Sequence, residues 1–165
     1  MAVVQTVPLL PLLRQVLGTA GADFAGRQEV GGRFRLTGGG QPWPHRLEDL
    51  APSGDLVLPP AADVIAALTR GIEVLPALGE VAVARVWGGL LDMTPDALPI
   101  IERVPQLDGL VIAAGFSGHG FCLGPVTGQI VRELVLEGAT EFPIQPFTSD
   151  RFTGASGRAA ATLHG

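Results

Sequence analysis

The stretch Ala113-Ala114-Gly115-Phe116-Ser117-Gly118-His119-Gly120-Phe121-Cys122-Leu123-Gly124-Pro125 decides how this chain is read. Before it, Leu110 to Ala114 reads as an apolar strand. After it, a helix is expected to open at Pro125 and to stop at Gly138, with Val126, Ile130, Val131 and Leu134 on its buried face. The glycines at 115, 118 and 120 let backbone N–H groups approach a ligand with no side chain in the way. A helix N-terminus facing the same place adds the positive end of a dipole. Together they make a seat for something flat, or for something carrying partial negative charge. The spacing Gly115-x-x-Gly118-x-Gly120 is not the dinucleotide pattern, and the chain contains no strand–GxGxxG–helix unit. The stretch therefore reads as half of a cofactor site, separated from the half that grips phosphates. The plainer alternative is a Gly-rich turn that serves only packing.

Working outward, Pro8-Leu9-Leu10-Pro11 should be extended, with a short helix over Leu12 to Leu17. Phe24 to Val30 and Arg33 to Thr37 read as strands of a hairpin turning at Gly31-Gly32. The second alternates charged and apolar residues, so one face is wet and the other packed. A proline-rich excursion fills 41–60. A helix follows from about Ala61 to Leu75, with Val64, Ile65, Leu68, Ile72 and Leu75 on one face. Glu80 to Trp87 and a short segment beginning at Pro99-Ile100-Ile101 read as further strands, and Glu141 to Phe152 as an extended tail. No βαβ rhythm appears, so the fold class is α+β, with a mixed, mainly antiparallel sheet and two main helices.

The 165 residues, 47% of them apolar, suit one domain with a real core, and no run reaches the ~20 apolar residues of a membrane span. Net charge is −5 and the eleven basic residues look scattered along the sequence, which disfavours nucleic acid as a partner. Cys122 is the single cysteine, so no internal disulfide forms. With an N-terminus unlike a signal peptide, this points to a reducing cytoplasm. His45, His119 and His164 lie too far apart in sequence to suggest a metal set.

Each chemically suggestive residue has a plain structural reading beside it. His119 can be an acid or base, or a hydrogen-bonding loop residue. Ser117 is not in a GxSxG elbow and reads as a hydroxyl capping the loop. Asp92 and Asp96 bracket Thr94-Pro95, which is ordinary turn chemistry. Trp87, followed by Gly88-Gly89, is a candidate wall for an aromatic ligand or a core tryptophan. Arg85 can meet a carboxylate bidentately, or a neighbouring acid.

Two blocks, Arg85-Val-Trp87-Gly-Gly-Leu-Leu-Asp92-Met-Thr94-Pro95-Asp96-Ala-Leu-Pro99-Ile-Ile and Gly109-Leu-Val-Ile-Ala-Ala-Gly115-Phe-Ser-Gly-His-Gly-Phe121, together resemble the FAD-dependent D-amino acid oxidase superfamily. The likeness is to enzymes of the sarcosine oxidase β-subunit, glycine oxidase and hydrogen cyanide synthase kind. It extends over about residues 5–153, since Gly31 to Gly40 and Phe142 to Phe152 resemble the family's strand-turn and closing segments. The resemblance implies that Gly115, Phe116, Ser117, Gly118, His119, Gly120 and Phe121 pass the flavin ring, with Trp87 and Gly88 as further contacts. It also implies oxidation of an amine C–N bond to an imine, with electrons passing to FAD. Cys122 stands where monomeric sarcosine oxidases carry a lysine, and Leu91 lies near the place of a glycine oxidase arginine, so the substrate stays open.

The resemblance further implies that this is the C-terminal portion of such a fold. Residues 1–105 would be a substrate-binding-type region, 106–153 the FAD-contacting strand, loop and helix, and 154–165 a disordered tail. FAD would then bind only with a protein partner supplying the Rossmann half, and a small amine or amino acid would be the substrate. The alternative is a non-catalytic truncated remnant, or an amino-acid-binding module without redox activity.

Overall fold

The structure, a computed structural model, describes residues 1–21, 23–38, 40–46 and 57–153. Two compact units emerge, Met1–Leu90 and Leu91–Gly165. In the second, the strand β6 (Ile100–Arg103) pairs with β7 (Val111–Ala114). The tail at 154–165 lies outside the described residues.

In the first unit, β1 (Ala2–Pro8), β2 (Leu17–Gly18), β3 (Ala25–Gln28), β4 (Arg33–Gly38) and β5 (Val83–Gly88) form one antiparallel sheet in the order β2-β3-β4-β1-β5. The β3–β4 hairpin turns where expected. Gly32 N–H donates to Glu29 C=O and Glu29 N–H to Arg33 C=O, both at 2.8 Å, and Gly32 adopts φ +81°. Central strand β1 went unread in the sequence. Ala2 and Val4 are fully buried, while Val4 sits opposite both Leu36 and Val86.

Helix α1 (Ala61–Val74) covers the Leu36 face of this sheet. Its contact stripe differs from the expected one. Ile65 and Ile72 point to solvent, whereas Ala67 and Gly71 are buried. Small residues win because the helix approaches closely: a Cβ on Gly71 would lie 3.3 Å from Phe24 Cε2, and one on Gly38 3.2 Å from Ala67 Cβ. Phe24, Phe34, Leu36, Val4, Ala67 and Leu78 form the core. Full burial of the larger of these side chains contributes about 1.5–3 kcal/mol each.

No helix forms over Leu12 to Leu17. The Gln28 side chain takes those backbone groups instead: its Oε1 accepts from Leu12 N–H at 2.7 Å and Leu13 N–H at 3.3 Å. Its Nε2 donates to the carbonyls of Leu9, Leu10 and Gly32. The strand expected over 80–87 begins only at Val83, after a 3₁₀ turn at Pro76–Glu80.

In the second unit, the β6–β7 pair packs on α2 (Gly120–Leu136), burying Ile101, Ile130 and Leu134 against Val111, Phe142, Ile144 and Phe147. Helix α2 starts five residues before Pro125, with His119 as N-cap, and Val126 is exposed rather than buried. The segment expected to be extended folds into two 3₁₀ turns, Gln145–Phe147 and Ser149–Phe152. Pro146 favours the first through its fixed φ. A carboxylate oxygen of buried Glu102 accepts from Ser149 N–H at 3.1 Å and anchors the second.

Candidate functional site

The second unit carries the glycine-rich loop between β7 and α2. Three residues of this loop and one of the neighbouring 92–98 segment sit in left-handed backbone: Gly115 at φ +67°, Ser117 at φ +49°, Gly118 at φ +89° and Ala97 at φ +59°. A non-glycine residue held there needs local bonds to keep it, and the Asp92–Leu98 segment supplies them. Asp92 Oδ2 accepts from Gly115 N–H at 2.7 Å, and its carbonyl accepts from Ser117 N–H at 3.0 Å. Ser117 is 1% exposed. Its Oγ donates to Gly115 C=O at 3.2 Å, accepts from Thr94 N–H at 3.2 Å, and lies 3.2 Å from Thr94 Oγ1. Thr94 Oγ1 in turn donates to Leu98 C=O at 2.7 Å. The turn chemistry expected of Asp92 and the capping expected of Ser117 are thus two parts of one brace.

Past the brace the loop opens. Gly118 and His119 are exposed, and Phe121 is 97% exposed. His119 N–H donates to Phe116 C=O at 2.8 Å and its carbonyl accepts from Leu123 N–H at 3.1 Å, which starts α2. No side chain caps this helix and no acidic residue lies in its first turn. The first N–H groups of a helix have no partner inside it, so this end presents donors to whatever covers it. Cys122, also exposed, stands in the same turn. Gly120 allows the close return of the chain past Phe116, whose Cβ would be 3.4 Å from an added methyl.

A second structural pair, not found in the sequence, closes the other side of the brace. Arg151 Nε meets Asp96 Oδ2 at 2.7 Å, and its Nη2 donates to Asp96 Oδ1 at 3.2 Å and to Leu98 C=O at 2.8 Å. The Arg151 guanidinium holds the Asp96 carboxyl down to about 2. The two residues are far apart in the sequence, so spacing gives no sign of the pairing.

Trp87 and Gly88 belong to the first unit. Gly88 N–H donates to Val57 C=O at 2.9 Å, and a Cβ on Gly88 would fall 2.5 Å from that same oxygen, so glycine is required for the approach. Two guanidinium groups, Arg35 and Arg85, each lie 5.6 Å from the Trp87 ring centroid. They share the sheet face opposite α1. In register across four strands stand Arg27, Arg35, Gln5 and Arg85, each directly opposite the next. Arg33, two residues before Arg35 on β4, lies on the same face. The basic residues expected to be scattered are therefore gathered in part: four of the eleven meet on this face. The sequence hint was the Arg33-x-Arg35 alternation, but pairing with Arg27 and Arg85 depends on the fold.

Among the described residues no group of three metal-ligating side chains gathers, and no helix is long and apolar enough to cross a membrane.

Comparison with known proteins agrees with this architecture. Over 82 residues the chain is 40% identical to the sarcosine oxidase subunit beta of Rhizobium meliloti, covering 50% of this chain and 20% of that protein. It is 33% identical over 97 residues to the glycine oxidase of Geobacillus kaustophilus, covering 59% and 26%. Among solved structures, L-proline dehydrogenase from P. horikoshii superposes with a TM-score of 0.79 at 28% identity, over 92% of this chain and 39% of that one. Glycine oxidase from G. kaustophilus gives 0.75 at 25%, over 89% and 37%. The chain thus spans about a fifth to a quarter of the length of these curated relatives. The family model described as FAD dependent oxidoreductase matches residues 2–134, and with the braced loop, the uncapped helix and the antiparallel sheet in place the chain belongs to that family.

Proposed function

We propose that this chain supplies the substrate-side and ring-side parts of a flavoenzyme that oxidises the C–N bond of an amine or amino acid to an imine. When bound, FAD supplies the acceptor for the hydride removed from the carbon beside nitrogen. The carrying observation is the rigid loop at Gly115–Ser117 delivering an uncapped helix N-terminus at His119–Phe121. Reduction of a flavin gathers negative charge at the pyrimidine end, and fixed N–H donors with a helix dipole favour that charge without reorganising.

The chain's own residues have separate tasks. Asp92, Thr94 and Ser117 hold the loop, so Ser117 acts through its backbone and not as a nucleophile. Gly118, His119, Gly120 and Phe121 form the exposed edge offered to the ring, with Phe116 behind them. Trp87 is a wall for the substrate, and Gly88 serves by admitting Val57. No side chain is assigned as a dedicated base, since hydride transfer depends on placement more than on proton removal. The adenine and phosphate groups need a Rossmann half, which these 165 residues do not contain.

The test is reconstitution. The chain is mixed with FAD and the Rossmann half of a sarcosine oxidase β-subunit, and the separated complex is scanned for flavin absorbance before and after anaerobic addition of amines. Bound flavin that bleaches with an amine supports the proposal. A complex that forms without flavin, or flavin that no amine or amino acid bleaches, overturns it.

A further inference from the structure

We infer that Arg151 is a positioning residue for the ring-side loop: it clamps Asp96 and the Leu98 carbonyl, and through Thr94 it fixes Ser117 and the N–H groups that follow. This rests on the ring-side reading of that loop. Arg151 lies in the second 3₁₀ turn, Ser149–Phe152, and its side chain is 16% exposed. All three guanidinium nitrogens are engaged by oxygen. Nε meets Asp96 Oδ2 at 2.7 Å, and Nη1 donates to Thr148 C=O at 2.9 Å. Nη2 donates to Asp96 Oδ1 at 3.2 Å and to Leu98 C=O at 2.8 Å. The Phe152 ring backs the group, its centroid 4.2 Å from the guanidinium carbon.

The turn that carries Arg151 adds little to the apolar core. None of its residues is buried, and none joins the cluster of Ile101, Ile130 and Leu134 that Phe142, Ile144 and Phe147 pack against. It is tied down by polar bonds, Ser149 N–H to Glu102 and the Arg151 fork to Asp96. A bidentate pair of that kind sets geometry as well as energy. The geometry it sets is that of the Asp96–Leu98 segment.

From there one bonded path runs to the loop. Asp96 Oδ1 also accepts from Leu98 N–H at 3.1 Å, so Arg151 and Asp96 together hold both polar groups of Leu98. Between Asp96 and Leu98 stands Ala97 at φ +59°, a conformation that persists only where the surroundings fix it. Leu98 C=O has two lone pairs, and Thr94 Oγ1 donates to it at 2.7 Å beside Arg151. Thr94 then meets Ser117 Oγ twice, through its N–H and through Oγ1, both at 3.2 Å. Ser117 is the other non-glycine residue at positive φ among the described residues. Two strained residues thus occupy the two ends of the path, with Arg151 anchoring the end away from the ring. Without the fork, Ala97 relaxes and the Leu98 carbonyl turns away from Thr94. Gly115 and Gly118 on either side of Ser117 then offer no resistance to a shift of the loop.

The experiment follows single-amide hydrogen exchange by NMR in the full chain, and then the flavin in the complex assembled with FAD and a Rossmann half. Arg151→Gln should lower the protection of the Thr94, Gly115 and Ser117 amides at least tenfold, and leave Ile130 and Leu134 within about twofold. Arg151→Lys, which keeps the charge and loses the fork, should do the same. In a Thr94→Val background, Arg151→Gln should have no further effect at Ser117, because the path is already cut. In the complex, Arg151→Gln should hold flavin at full occupancy. Its two-electron equilibrium should shift at least tenfold toward the oxidised form, about 30 mV in midpoint potential. Asp96→Asn should move the same amides and the same potential less far, and it replaces Arg151→Gln if circular dichroism shows that variant unfolded. Equal loss of protection in loop and helix, full protection in Arg151→Lys, or an undiminished effect in the Thr94→Val background would each overturn the inference. So would an unmoved potential at full flavin occupancy. A wild-type complex that takes up no flavin would sink the ring-side reading, while the exchange results still decide what Arg151 holds.

Discussion

Replacing Gly115 by alanine tests whether the brace or the loop's own sequence holds the candidate ring contact. Two costs add. Gly115 has φ +67°, where an L-residue with a Cβ loses about 1–2 kcal/mol. That Cβ would also arrive 2.4 Å from Thr94 Cγ2, far inside contact distance, and insertion of a methyl into a packed site costs about 1–3 kcal/mol. The sum is about 2–5 kcal/mol, a large share of the stability of a small unit. Thr94→Ser separates the terms. It deletes the clashing methyl and keeps the hydroxyl that donates to Leu98 C=O and meets Ser117. In the double variant Gly115→Ala/Thr94→Ser the steric part should return, recovering about 1–3 kcal/mol relative to the sum of the single changes. Both tryptophans are at 43 and 87, in the first unit, so fluorescence does not report on this site. Amide hydrogen exchange across β6, β7 and α2, followed with urea, does. A Gly115→Ala chain whose β7 amides keep wild-type protection within about 0.5 kcal/mol, or a double variant with no recovery, would refute the reasoning.

Two further outcomes follow from the same bonds. The Asp96 carboxyl, held down to about 2 by Arg151, is below its ordinary 3.8, so its stabilisation is complete above about pH 4 and is lost as pH falls through about 2. Asp96 is partly exposed, so salt screens the pair and its worth stays near the ~1 kcal/mol upper end for surface pairs. The protection factors of amides in the Ser149–Phe152 turn should fall between pH 4 and 2, and Asp96→Asn should abolish that step. In the first unit, Gln28→Ala should cost about 1–2 kcal/mol in urea unfolding followed by tryptophan fluorescence, because the carbonyls of Leu9 and Leu10 and the N–H groups of Leu12 and Leu13 lose this partner to water, while Gly32 C=O keeps Leu9 N–H. Gln28→Glu should be at least as costly, since it sets a carboxylate against the carbonyls of Leu9, Leu10 and Gly32. A stabilised Gln28→Glu chain would show that the side chain merely fills space.

What the sequence made legible was local. The Gly31-Gly32 turn, the apolar strand before Gly115 and the α1 segment each carry their signal within a few residues, and each lies close to where it was read. Failures came where a distant partner decides. Leu12 to Leu17 has the apolar pattern of a helix, but Gln28 captures its backbone from another strand. Pro125 looks like a first-turn residue. Yet the loop's own His119 N–H to Phe116 C=O bond launches the helix five residues sooner, and α2 carries the proline at the loss of one N–H donor. Val4 and Val3 read as a bare apolar run until β4 and β5 flank them.

The site divides along the same line. Its glycines were visible because positive φ demands a residue type that can be seen in one position. Asp92 and Thr94 were visible as a turn, but their purpose was not, because Gly115 and Ser117 lie twenty-three residues away from them across a strand pair. The arginine face lay deepest. Its row needs Gln5 opposite both Arg35 and Arg85, a register that three separate stretches of chain must agree on. Composition could report that every strong cation in the chain is an arginine, but only the sheet shows that four of them point the same way. Charge counted along the chain misses this row, and charge counted across the strand register finds it.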